Sequence, residues 1–188
     1  MILLFDIGLP MIMPSMYFMA IALIPIVLLE GYYAARKLRI RFSKTVGRFA
    51  WANLISTLVG IPLTWMLLFG IQLASGGDRG ADTRAFWGKV YAVTVQAPWV
   101  LPYSEEEFFW YFHAAALFLL IPFFFATWLI EYTVTRNKLA SEIANDTSDL
   151  PRAEHLVWKT VRNANLLSYG LIAILLVLSL IITAGRKL

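Results

Sequence analysis

AWANLISTLVGIPLTWMLLFGIQLA, residues 50–74, decides the fold, because its twenty-five residues include no charged side chain. A helix needs about 20 apolar residues to cross the hydrocarbon core of a bilayer. A buried helix of a soluble domain is rarely apolar over such a length. Three further stretches read the same way, at about 11–33, 109–132 and 164–184. The fourth is uncharged, whereas the first and third carry one acid each, Glu30 and Glu131, near their C-terminal ends. Composition agrees: 60% of the chain is hydrophobic and 15% charged, with mean hydropathy +0.68. Globular domains run at about 45–50% and about 25%. The expected fold is an all-α integral membrane protein with four transmembrane helices in one membrane domain covering residues 1–188. Such a chain has no room for a large extramembrane catalytic domain. Zero cysteines exclude a disulfide framework, iron–sulfur ligation and cysteine zinc sites. The N-terminus lacks a basic n-region and a small-residue cleavage site, so the first span is expected in the mature protein.

The charged residues give the expected orientation. Between spans one and two lie Arg36, Lys37, Arg39, Arg41, Lys44 and Arg48, and between spans three and four lie Arg136, Lys138, Arg152, Lys159 and Arg162. Those eleven face five on the other side: Arg79, Arg84, Lys89, Arg186 and Lys187. Translocated Lys and Arg are disfavoured, so loops 34–49 and 133–163 are expected in the cytoplasm and both termini outside. A bacterial inner membrane, of cell or thylakoid, fits this pattern. The acids at 105–107 agree, and Ser104 with Glu107 reads as a capping box at the start of span three. The sequon at Asn145 and Thr147 is on the wrong side for glycosylation. The basic stretch 36–48 reads first as topological, then as a surface for anionic headgroups at about 1 kcal/mol per residue; no nucleic-acid partner is expected.

The outer loop, 75–108, starts with Gly-rich sequence and turns apolar. Asp82 or Thr83 would cap a short helix there, and Pro98 and Pro102 would end it. At about 13–15 residues it is too short to span. Trp87, Tyr91 and Trp99 suit the headgroup level, so an interfacial helix or strand is expected, either as a surface lid or as a contact for another subunit.

The two halves of the chain resemble each other. EGYYAARKL, from Glu30, answers EYTVTRNKL, from Glu131; Lys44-Thr45-Val46 answers Lys159-Thr160-Val161; and Ala52-Asn53-Leu54-Ile55-Ser56 answers Ala164-Asn165-Leu166-Leu167-Ser168. Pro25 and Pro122 each follow an Ile within the corresponding spans. The expectation is an internal repeat: two tandem, similar helical hairpins, related by an axis along the membrane normal because each contains an even number of spans.

Each repeat holds a carboxylate late in its first helix and an amide and hydroxyl early in its second. Glu30 precedes Arg36 by about 9 Å of helix rise and Asn53 follows Arg48 by about 7.5 Å. The two should therefore lie at comparable depth, with Asn165 somewhat shallower. Glu30, Asn53, Ser56, Glu131, Asn165 and Ser168 form the expected polar intramembrane cluster. One reading makes it interhelical glue, at about 0.6 kcal/mol per hydrogen bond, with the carboxylates paired to Arg48 or Arg162 or reaching water. The other makes it a cation or proton site. Small residues at Ser56 and Gly60, and at Ala164 and Ser168, allow close helix approach.

His113, near the outer end of span three, is a weak candidate for axial ligation of haem or a pigment, though no second histidine stands at matching depth; interfacial hydrogen bonding is the plainer reading. His155 beside Glu154 is too sparse for a metal. No nucleophile, zinc or nucleotide motif occurs, so the chain is not expected to be an enzyme. Its aromatic residues, 15% of the chain, suit lipid tails, pigments, quinones or other subunits. The expected function is a non-catalytic accessory or assembly subunit of a larger integral membrane complex. The alternatives are a small oligomeric channel or transporter using Glu30 and Glu131, and a haem- or pigment-binding protein using His113. Membrane lipids, other membrane subunits or further copies of the chain are the expected partners; no cofactor is required.

Overall fold

The computed structural model describes residues 12–75, 85–95, 105–147 and 149–185, and among them there is no strand. Five helices follow in order: α1 (Ile12–Leu38), α2 (Phe42–Ala74), α3 (Phe86–Val95), α4 (Glu105–Thr147) and α5 (Leu150–Gly185). Three contain stretches long and apolar enough to cross a membrane, Phe42–Ala74, His113–Ala144 and Leu150–Ile182, as expected of a multi-pass membrane protein. The remaining expected span falls on α1, whose described side chains begin at Ile21 and include Glu30, Arg36 and Lys37.

The helices are longer than the apolar runs. Of residues 133–163, expected as a loop, 133–147 and 150–163 are helical, and residues 34–49 are helical except at 39–41. The reason is amphipathic spacing. Leu139, Ala140, Ile143 and Ala144 on α4, and Ala153, Val157, Val161 and Ala164 on α5, recur at helical intervals, and all pack in or against one buried cluster. The turns are short and chemically specified. Arg39 has φ 56°, a left-handed conformation that ends α1. The Arg41 carbonyl accepts the Lys44 and Thr45 amides, both at 3.1 Å, to open α2. Asp149 caps α5: its carboxylate accepts the Arg152 amide at 3.1 Å. Pro151 stands in the first turn, where its missing N–H is not needed.

The chain divides into two compact units, one of residues 19–60 and 122–172, the other of 1–18, 61–121 and 173–188. The first unit holds the cluster just named, completed by Ala34, Leu38 and Phe49. Here α1 and α2 approach closely at Gly31, where a Cβ would stand 2.7 Å from Val46 Cγ2 and 3.0 Å from its Cα. Between α4 and α5, Tyr132 meets Trp158 edge-on at 4.7 Å. In the second unit Val90 of α3 packs on Tyr111 and Ala115 of α4, and Ser75 hydrogen-bonds Tyr91. The short segment expected within residues 75–108 is thus a helix, α3, with Phe86 and Trp87 exposed and Val90, Thr94 and Val95 buried.

Burial is inverted relative to a soluble protein. Leu58, Met66, Ile121, Ile174 and Ile181 are exposed, while Glu30, Asn53, Ser56, Glu131, Asn165 and Ser168 are buried. In water such apolar surface would be a severe liability; against lipid tails it is solvated, and polar side chains turn inward.

Candidate functional site

Six of the buried polar side chains of the first unit form one network. Glu30 of α1 and Glu131 of α4 are 1% and 0% exposed. The amide of Asn53 donates to Glu30 Oε2 at 2.7 Å, and that of Asn165 donates to Glu131 Oε2 at 2.7 Å. Each amide nitrogen also donates to the carbonyl one helical turn earlier, Phe49 at 3.1 Å and Val161 at 3.2 Å. The serines cross over. Ser168 of α5 donates to Glu30 Oε1 at 2.5 Å, and Ser56 of α2 donates to Glu131 Oε1 at 3.4 Å. Each serine hydroxyl also lies within reach of the asparagine carbonyl three residues before it, at 3.1 Å for Ser56 and 3.0 Å for Ser168.

The structure therefore brings all six predicted residues together. Each asparagine serves the glutamate of its own helix pair, and each serine serves the glutamate of the other pair. Asn165 stands as close to Glu131 as Asn53 does to Glu30, at 2.7 Å in each case. The flanking burial matches as well. Glu30, Ala34 and Leu38 are buried on α1, as are Glu131, Thr135 and Leu139 on α4. Thr45, Phe49, Ala52, Asn53 and Ser56 are buried on α2, as are Val157, Val161, Ala164, Asn165 and Ser168 on α5.

The carboxylates do not pair with Arg48 or Arg162. Arg48 donates to Glu142 at 2.5 Å, Lys44 approaches the same carboxylate at 3.5 Å, and Arg162 donates to Asn163 at 3.3 Å. Neither acid has a cationic partner among the described residues. All four carboxyl oxygens take one neutral donor each. Asn165 Oδ1 is buried with no hydrogen-bond partner, so the cluster has more acceptors than donors.

Glu142 was missed by the sequence reading because its partner Arg48 lies 94 residues away, and spacing along one helix carries no register between helices. Thr135, whose hydroxyl donates to the Glu131 carbonyl at 2.7 Å, was also missed; its place one turn after Glu131, matching Ala34 after Glu30, was the available signal.

His113 belongs to the other unit. It is buried, and its Nε2 lies 3.3 Å from Ser179 Oγ of α5, so that nitrogen is engaged in an interhelical contact. Among the described residues no three His, Cys, Asp or Glu side chains converge to hold a metal. Asp82, Thr83, Pro98, Trp99, Pro102 and Ser104, and the side chains of Glu107, Asn145 and Thr147, of which capping, turn, interfacial or sequon roles are expected, lie outside the described residues, as do Arg79, Arg84, Arg186 and Lys187. Comparison with known proteins finds no matching family model, no matching curated protein and no matching solved structure.

Proposed function

We propose that the chain is a four-span membrane protein of two similar hairpins, with both hairpin turns in the cytoplasm, and that Glu30 and Glu131 together bind and release a proton in a small oligomeric channel or transporter. One observation carries the reading: two fully buried carboxyls face only neutral donors. Each buried, uncompensated charge costs several kcal/mol, and one proton removes one of the two charges while adding the donor that the cluster lacks. A proton needs neither a cavity nor the six or more oxygen ligands of a hard metal ion. The duplication is supported by the matched hydrogen bonds of Asn53 and Asn165 and by the matched burial along the two helix pairs.

Purified protein in liposomes under a pH gradient provides the test, read with an internal pH-sensitive dye. Wild type should pass protons, alone or with a driven solute, and Glu30→Gln or Glu131→Gln should reduce the rate at least tenfold. Equal rates in wild type and both variants would refute the reading. A second reading, as an accessory subunit of a larger membrane complex, is favoured by the exposed row Trp110, Phe118, Ile121, Phe125 and Leu129 along one side of α4. Mass measurement after extraction in mild detergent would show partner subunits under that reading and copies of this chain alone under the first.

A further inference from the structure

The geometry points to an anionic phospholipid site between the basic ends of α2 and α4, separate from the carboxyl pair. A cavity of about 270 Å³ is lined by Ser43, Lys44, Gly47, Arg48 and Trp51 of α2 and by Val134, Thr135 and Lys138 of α4. Three of those side chains are cationic, and Ser43 adds a hydroxyl, while the Thr135 hydroxyl is given to the Glu131 carbonyl. Glu142 engages Lys44 and Arg48 at 3.5 and 2.5 Å, which fixes their positions and leaves the group net positive. Lys138 is exposed and has no acidic partner among the described residues. Two lysines and an arginine with a hydroxyl at one opening supply the point charges and the fork-shaped donor that a phosphate diester takes.

The volume falls below the roughly 300–1,000 Å³ of sites that enclose a whole small molecule, so the cavity fits a headgroup and not an entire lipid. What surrounds it favours a lipid over a free anion. Trp51, 59% exposed, stands at the rim, and Leu54 and Leu58 continue its exposed face along α2 at helical spacing. A tryptophan at headgroup level followed by exposed leucines is where an acyl chain lies when its phosphate sits in the cavity.

The full chain, purified in a neutral detergent, is titrated with phosphatidylglycerol, phosphatidylcholine or inorganic phosphate while its thermal unfolding midpoint is followed. Phosphatidylglycerol should raise the midpoint saturably, and the other two should not. Lys138→Gln and Lys44→Gln should each weaken the apparent affinity for phosphatidylglycerol about fivefold, the loss of one basic contact near a headgroup. Arg36→Gln, outside the cavity, should leave it unchanged. An equal effect of phosphatidylcholine, or an equal loss in Arg36→Gln, would reduce the site to general lipid or charge effects and overturn it. Saturation by inorganic phosphate alone would replace the lipid with a soluble anion and overturn it as well.

Discussion

At the scale of single residues, the six polar side chains differ in what each removal leaves behind. Asn165→Leu strips Glu131 Oε2 of its donor inside an apolar surround, and an unsatisfied buried acceptor costs about 1–3 kcal/mol. Asn53→Leu should cost a similar amount, since Asn53 holds Glu30 at the same 2.7 Å. Unequal effects, measured by thermal unfolding in detergent, would count against equivalent roles. The serines should not be equal. Ser168 lies 2.5 Å from Glu30 and Ser56 lies 3.4 Å from Glu131, so Ser168→Ala should destabilise more than Ser56→Ala, by roughly 1 kcal/mol. The identity of the cluster was legible in the sequence because each residue keeps its place within two short stretches that read alike, from Glu30 and Glu131 and around Asn53 and Asn165. The crossing of Ser56 to Glu131 and of Ser168 to Glu30 was not, because that pairing depends on how two helix pairs dock and no spacing within either encodes it.

At the scale of helices, the apolar runs located α2, α4 and α5 but understated their lengths. A run-length reading stops where charges enter, at Arg136 on α4 and before Arg162 on α5, whereas the helix continues as long as one face stays apolar. Leu139, Ala140, Val157 and Val161 supply that face, and their spacing was the signal that hydropathy alone obscured. The start of α5 depends on its cap. Asp149→Ala removes the acceptor for the Arg152 amide and should cost about 1 kcal/mol; no change in unfolding would show the cap to be idle. The α1–α2 contact depends on the missing side chain of Gly31. Gly31→Ala sets a methyl 2.7 Å from Val46 Cγ2 and 3.0 Å from its backbone Cα, and the displacement should destabilise by about 1–3 kcal/mol. Val46→Ala in the same chain should recover part of that loss, as the backbone contact remains. In the register set by Glu30 with Glu131 and Asn53 with Asn165, which is three residues off the Lys-Thr-Val match, the places of Gly31 and Val46 are taken on α4 and α5 by Tyr132 and Trp158, so the two helix pairs are packed by dissimilar means.

At the scale of the whole molecule, the sorting of residues is that of a chain solvated by lipid: apolar side chains outward, carboxyls, amides and hydroxyls inward. That sorting follows from composition and was legible before any coordinates. The proposed sidedness rests on the distribution of eleven basic residues against five, and the absence of cysteine makes it directly measurable. In intact cells, single cysteines introduced as Arg39→Cys and Leu150→Cys should resist a membrane-impermeant maleimide, while Ser75→Cys should react; the reverse pattern would invert the topology. The central claim is that Glu30 and Glu131 form one proton-binding site, and infrared spectroscopy of the purified protein during a pH titration tests it most directly. A shared proton site should give a titrating carboxylic C=O band that is altered by either Glu30→Gln or Glu131→Gln and abolished when both are replaced, while a titration indifferent to both substitutions would show that the pair binds no proton.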